Sequence, residues 1–202
     1  MYNNRPIIVL KKHTNGEIML IILFGLTGAG KNFVGEILEK RFGYTFWDAD
    51  EALSADMKEC IRTHKAWTQE MRETYINNIN QTISQLKKIH PNLVVAQALY
   101  GEDYRLRILK QHPKNILFIQ IATSPDITLK RVISRFANGN SLVDEKYAKQ
   151  TFVFFQMPSP KFLYMKLHNN HDSENVIMQL ELILEKKPKP VSSQPRQLRS
   201  TL

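Results

Sequence analysis

The feature that most constrains this chain is an eight-residue stretch, Gly25-Leu26-Thr27-Gly28-Ala29-Gly30-Lys31-Asn32, set between an apolar run and an amphipathic one. It fits the phosphate-loop pattern G-x-x-x-x-G-K-[ST] at every position but the last. Glycines let the backbone curl with its N–H groups turned inward around a phosphate, and the helix that follows presents its positive end. Lys31 then reaches the β- and γ-phosphates as a point charge. Before the loop, Ile18 to Phe24 (IMLIILF) reads as a strand buried on both faces. After it, Lys31 to Arg41 places Phe33, Val34, Ile37 and Leu38 at helical spacing. Strand, loop and helix in that order make residues Gly25 through Asn32 a nucleotide-binding expectation.

The same alternation continues along the chain. Gly43 stops the first helix, and Tyr44 to Trp47 reads as a second short strand. From Glu51 to His90 the pattern is helical, with Met71, Tyr75, Ile79, Ile83 and Leu86 on one apolar face. Pro91 breaks it, and Leu93 to Ala96 makes a third strand. Tyr104 to Lys110 is helical, and Ile116 to Ile121 is a fourth strand. Ser124 caps a helix with Pro125 at its first position and Leu129, Val132, Ile133 and Phe136 on its buried side. A further helical stretch runs to Gln156, Phe162 to Leu167 is a fifth strand, and Ser173 opens a last helix. Strands separated by helices imply right-handed crossovers and a parallel sheet covered on both faces. Such a sheet binds ligands at the carboxyl ends of its strands.

Composition sets the outer limits. At 202 residues, with 43% hydrophobic and 23% charged, the chain can bury an ordinary globular core. Its single cysteine, Cys60, forms no internal disulfide, which fits a reducing, cytoplasmic compartment. The apolar run Ile18 to Leu26 is about half of the roughly 18 residues a spanning helix needs, so no membrane span is expected. Five of the nine net positive charges fall in residues 186–202, which hold three prolines and no acidic residue. That segment reads as a disordered basic tail, with contact to nucleic acid as its functional alternative. Residues 1–17 form an N-terminal extension whose Ile7 to Leu10 would add an edge strand. The folded domain is expected over 18–185.

Two carboxylates, Asp48 and Asp50, end the second strand, where the strand period puts both on the side of the loop. One would orient a metal-bound water, and the other would take a proton from an attacking hydroxyl. The plain alternative is that Asp50 caps the next helix. Asn32 stands where a serine or threonine hydroxyl ordinarily ligates Mg²⁺. Its amide oxygen can ligate a hard cation; or metal is held through water and phosphates; or catalysis is lost. Arg131 and Arg135, four apart, share one helix face and suit a lid that neutralises a transferring phosphate. A solvated basic face with Lys130 is the alternative. Arg72 suits a fork on an acceptor carboxylate, or a surface pair with Glu70 or Glu73. His168 and His171 flank a polar turn with no zinc-ligand set around them.

Taken together, these segments resemble the small P-loop carbohydrate kinases, gluconokinase most of all and shikimate kinase more distantly. Trp67-Thr68-Gln69-Glu70-Met71-Arg72-Glu73-Thr74-Tyr75-Ile76 is similar to the helical segment L-T-D-E-D-R-x-P-W-L. Val94-Val95-Ala96-Gln97-Ala98-Leu99-Tyr100, leading to Tyr104-Arg105, resembles V-V-A-C-S-A-L-K-x-x-Y-R, one residue longer. Arg131 and Arg135, then Ser141-Leu142 and Lys149-Gln150-Thr151-Phe152, resemble a lid R-x-x-x-R-x-G-H-F and S-L-x-x-S-Q-F. The histidine and proline of D-x-L-H-P are replaced after Asp50, the lid's glycine-histidine pair is Ala137-Asn138, and the lysine after the third strand is Tyr100.

The resemblance implies a P-loop NTPase fold: a three-layer α/β/α sandwich, a mostly parallel sheet of about five strands, a helical substrate-binding insertion at 51–90 and a short lid at 135–145. It implies ATP and Mg²⁺, with phosphoryl transfer to a hydroxyl of a small anionic metabolite, a sugar acid or related polyol. Lys31, Asp50, Arg131 and Arg135 would be catalytic, and Asn32 and Asp48 would hold metal. Asp50, Arg72, Gln97, Tyr104 and Arg105 would hold the acceptor, and the 168–171 loop would border the base. A homodimer is compatible with this reading. Two rivals stand beside it: a nucleotide-binding module without turnover, suggested by Asn32, and a kinase of nucleotides or nucleic-acid ends, suggested by the tail.

Overall fold

The computed structural model of the protein describes residues 19–170 and 172–185. The expected N-terminal edge strand, His171 and the basic tail 186–202 lie outside the described residues. Five strands, β1 (Met19–Phe24), β2 (Thr45–Asp48), β3 (Asn92–Ala96), β4 (Ile116–Ala122) and β5 (Met165–His168), pair in the order β2-β3-β1-β4-β5, every pair parallel. Among the described residues seven α-helices cover them: α1 (Lys31–Phe42), α2 (Ala55–Arg62), α3 (Gln69–Ile89), α4 (Glu102–Gln111), α5 (Pro125–Ala137), α6 (Glu145–Phe154) and α7 (Ser173–Glu185).

Alternation along β1 explains the layers. Leu20, Ile22 and Phe24 turn to one face, where Ile76, Ile79 and Ile83 of α3 and Ile108 of α4 pack on them. Ile21 and Leu23 turn to the other, against Val34 and Leu38 of α1 and Val176 and Leu180 of α7. A strand covered on both sides must be apolar at every position, which is why β1 reads as an unbroken run. Because β1 lies between β3 and β4, the strand order reverses beside it, and the crevice outside the carboxyl ends opens there. The glycine loop leaves β1 at that crevice.

Four sequence expectations are corrected. The single helical stretch from Glu51 to His90 is three pieces: a 3-10 turn at Ala49–Ala52, α2 and α3. Ser54 and Thr68 divide them, each accepting a hydrogen bond from the free N–H three residues on, Met57 and Met71. The fifth strand begins at Met165 rather than Phe162, although Phe162 is buried in the core from a loop. The helix expected to reach Gln156 ends at Phe154. On α5, Ile133 and Phe136 are exposed, and the buried positions are Thr128 and Val132. The helix is turned so that these two small side chains face the glycine loop. A Cβ on Gly28 would strike the Thr128 carbonyl at 2.6 Å and the Val132 methyl at 2.7 Å.

Candidate active site

The glycine loop is built by backbone that other residues reach only at a cost. Gly28 and Gly30 hold φ of 86° and 94°, the left-handed region that a side chain disfavours. The loop is pinned from α5 and from the β5–α7 turn, for the Ala29 carbonyl accepts from Thr123 Oγ1 (2.9 Å), Asn169 Nδ2 (2.8 Å) and Arg131 Nη1 (3.3 Å). Lys31 begins α1 and folds back, donating from Nζ to the carbonyls of Gly25 (3.2 Å) and Leu26 (3.0 Å). No carboxylate among the described residues lies within ion-pair distance of it. Burial pushes its pKa down to about 8, against the opposing pull of Asp50 and Asp48.

Beside the loop runs a cleft of about 820 Å³. Asp48, the last residue of β2, caps the 3-10 turn by accepting from the Asp50 N–H at 3.0 Å through Oδ1. Its Oδ2 accepts from Asn32 Nδ2. So the cap is Asp48, not Asp50, and Asp50 lies beyond the strand, on the turn. Both carboxylates still line the cleft. The Asp50 carboxyl is held above the usual carboxylate range, first by burial and then by Asp48, with Lys31 and Gln97 opposing. Gln97, just past β3, donates from Nε2 to Asp50 Oδ1 at 3.0 Å and to the Tyr75 hydroxyl. Tyr75 in turn donates to the Ala49 carbonyl at 2.9 Å. This relay locks Asp50, Gln97 and Tyr75 into one unit.

The far wall comes from residues without a site role in the sequence, although Trp67, Tyr75 and Tyr100 stand in the segments that carry the resemblance. Leu53, Ile61, Trp67, Tyr75, Tyr100 and Tyr147 line it. Tyr75 sits at a helical apolar position and so reads as core, yet its hydroxyl reaches the relay. Tyr100 bonds Thr27 Oγ1 at 2.6 Å, joining the wall to the glycine loop. Tyr147, on α6, is brought in from far along the chain by the turn before it. There His64 Nε2 meets Asp144 Oδ2 at 2.7 Å, tying the end of α2 to the cap of α6. Burial pushes the Tyr147 hydroxyl up to about 12. No local spacing announces any of these meetings.

Of the expected site residues, the cleft gathers Thr27, Gly28, Gly30, Lys31, Asn32, Asp48, Asp50, Gln97, Arg131 and Arg135. Arg72 and Tyr104 do not line it, and Arg72 does not take Glu73, which pairs with Arg107 at 2.6 Å. Arg105 is in the core and takes a correction. Its side chain is wholly buried, donating from Nη1 to the Leu99 carbonyl (2.7 Å) and from Nη2 to the Gln156 carbonyl (2.8 Å). Its guanidinium lies over Phe24 at 5.1 Å. Leu99 holds φ of 46°, which a leucine adopts only when its surroundings force it. Arg105 is thus a prop for the 97–101 turn that presents Gln97 and Tyr100. Arg105→Met should cost about 2–4 kcal/mol of stability by leaving the buried Leu99 carbonyl and the half-buried Gln156 carbonyl unmet; urea denaturation checks it, and an unchanged midpoint refutes the prop.

A parallel sheet with a glycine loop and a desolvated lysine at its switch point, and two carboxylates lining the same cleft, defines a P-loop kinase. The shikimate kinase family matches residues 27–175, and the chain belongs to that family. It is 24% identical over 131 residues to a probable gluconokinase of Xenopus tropicalis, spanning 58% of this chain and 69% of that one. It is 23% identical over 163 residues to a probable gluconokinase of Dictyostelium discoideum, spanning 76% and 81%. Its fold superposes on a gluconokinase of Sinorhizobium meliloti 1021 with a TM-score of 0.67 at 15% identity, covering 84% of this chain and 98% of that one. The protein is a small-molecule kinase, a phosphotransferase. Among the described residues no helix is long and apolar enough to cross a membrane.

Proposed function

We propose that the protein moves the γ-phosphoryl group of ATP, with Mg²⁺, onto a hydroxyl of a small polyhydroxylated metabolite. The observation that carries this reading is Lys31: a half-buried, desolvated ammonium with only loop carbonyls for hydrogen-bond partners, at the mouth of a helix N-terminus. A desolvated cation without a carboxylate partner is costly, and a phosphate relieves that cost. Arg131 and Arg135, one turn apart on α5, would sit over the transferring oxygens, while Arg131 also braces the loop through the carbonyls of Ala29 and Asn169. Asp50 would take the acceptor's proton, with Gln97 fixing its orientation. At the other end Asn169 Oδ1 is buried without a donor, which suits an amino group of the base.

The donor set also fits Mg²⁺, which keeps most of its ligands as phosphate oxygens and water and needs one or two from the protein. Asn32 and Asp48 would hold it, and when bound it neutralises charge on the phosphates. The reading without turnover has one observation behind it, that Asn32 and Asp48 satisfy each other. Asn32→Ser separates the two. A hydroxyl can donate to Asp48 and still offer a lone pair to the cation, so the Mg²⁺-dependent gain in ATP affinity should rise about tenfold. Titration calorimetry with and without Mg²⁺ reads it; an unchanged gain means that the metal does not sit at position 32.

The reading as a whole is tested by coupled ADP release across sugar acids, polyols and nucleotides. Release that needs one of the first two groups supports it. Release with nucleotides alone moves the protein to the nucleotide kinases.

A further inference from the structure

The cleft has two electrostatically different ends. Every lysine or arginine among its lining residues belongs to the glycine-loop segment or to α5: Lys31, Lys130, Arg131 and Arg135. The end beyond Asp50 is walled by Trp67, Tyr75, Gln97, Tyr100 and Tyr147, with no cationic side chain among the described residues that line it. Arg72, on α3, does not line the cleft, although its charge is felt at the hydroxyls of Tyr104 and Tyr147. The wall also holds a donor without an acceptor, for the Trp67 indole N–H is buried and has no partner. The indole stands edge-on to the Tyr75 ring, 5.3 Å between centroids at 87°.

This chemistry selects against an acid. A carboxylate bound beyond Asp50 would give up its water beside two other carboxylates, with no guanidinium fork to receive it. An uncharged polyol meets no such penalty. Its C–H faces lie on aromatic rings, and its hydroxyls can both donate to Asp50 and accept from the Trp67 N–H. A hydroxyl there also satisfies a buried donor that otherwise goes unmet.

Resting on the kinase reading above, we propose that the acceptor is an uncharged polyhydroxylated molecule, an aldose or alditol, rather than the sugar acid that the sequence resemblance implies. In the transfer, the bond from the γ-phosphorus to the β–γ bridging oxygen breaks and a bond from that phosphorus to the acceptor oxygen forms. The hydroxyl proton passes to the Asp50 carboxylate, and ADP leaves with the bridging oxygen.

The test compares acid and neutral molecules of one carbon skeleton, gluconate against glucitol and glucose, extended to pentitols and pentonates. Binding is measured by titration calorimetry on the full chain with Mg²⁺ and a non-hydrolysable ATP analogue, and ADP release is followed separately. A neutral member should bind at least about tenfold tighter than its acid, a gap of about 1.4 kcal/mol. Arg72→Leu should leave that affinity within about twofold, because Arg72 does not line the cleft and an uncharged ligand draws little on its charge. Gln97→Lys, which puts a cation in the wall, should turn the preference toward the acid. An acid that binds tighter to the wild type overturns the proposal, as does failure of every neutral member to saturate by about 10 mM. ADP release with acids alone overturns the acceptor class and keeps the kinase. Saturable polyol binding with no ADP release overturns the kinase reading and keeps the ligand class.

Discussion

Lys31→Met should lower turnover by on the order of 10²–10³-fold or more, since the side chain keeps its length and loses the charge that faces the developing phosphate. The fold should tolerate it, because an ammonium buried against two carbonyls with no carboxylate partner is replaced by an apolar chain of similar volume. Turnover by coupled ADP release and thermal melting together check this. Unchanged turnover removes the loop from the chemistry. The lowered pKa adds a pH signature. At about 8, Lys31 loses its proton within the working range of the free protein. An incoming phosphate favours the charged form, so ATP affinity should fall as pH rises through about 8, with proton uptake on binding above that point. In Lys31→Met that limb should vanish.

Asp50→Asn should cost about 10²–10⁴-fold in turnover while leaving ATP affinity nearly unchanged, because the amide keeps the Gln97 contact's shape and cannot accept a proton. Its stability effect has the opposite sign. Burial and Asp48 raise the Asp50 pKa above its unfolded value, so the folded protein holds this proton more tightly than the unfolded chain. That contribution is present at low pH and is lost as pH rises through the folded value. Above the folded value the ionised carboxylate therefore works against the fold, and Asp50→Asn should melt no lower than the wild type. The acid limb of the pH–rate profile should lie above the ordinary carboxylate range in the wild type. A variant with full turnover, or a lower melting temperature without loss of turnover, would show that Asp50 serves structure instead.

Lys31 and Asp50 reach the site by different routes, one through local chain geometry and one through packing. The glycine loop and Lys31 were legible in the chain because their geometry is local: one strand, one turn and the first residue of one helix carry it. The sheet was equally legible, since β1 and β4 are covered on both faces and their apolar runs have no other economical reading. The caps Ser54 and Thr68 were written in the sequence too, yet the apolar period beneath them masked the breaks. Asp50 was found by its place at a strand end, though it proved to stand on a turn capped by Asp48.

Arg105 marks where sequence reasoning ended. An arginine beside a tyrosine after a strand reads as a ligand-binding pair, and only packing shows that its guanidinium is spent on the carbonyls of Leu99 and Gln156, over the Phe24 ring. Ile133 and Phe136 show the same limit, because periodicity defines an apolar stripe but not the rotation that turns Thr128 and Val132 to the loop instead. The sequence by itself determined the phosphate-binding end, whose parts are neighbours along the chain. Of the other end the sequence offered Gln97, and the tertiary structure decided its setting, where Trp67, Tyr75, Tyr100 and Tyr147 join it from separate segments. Long-range packing brings them together, and its outcome sets the charge of that wall, which no short stretch of residues carries.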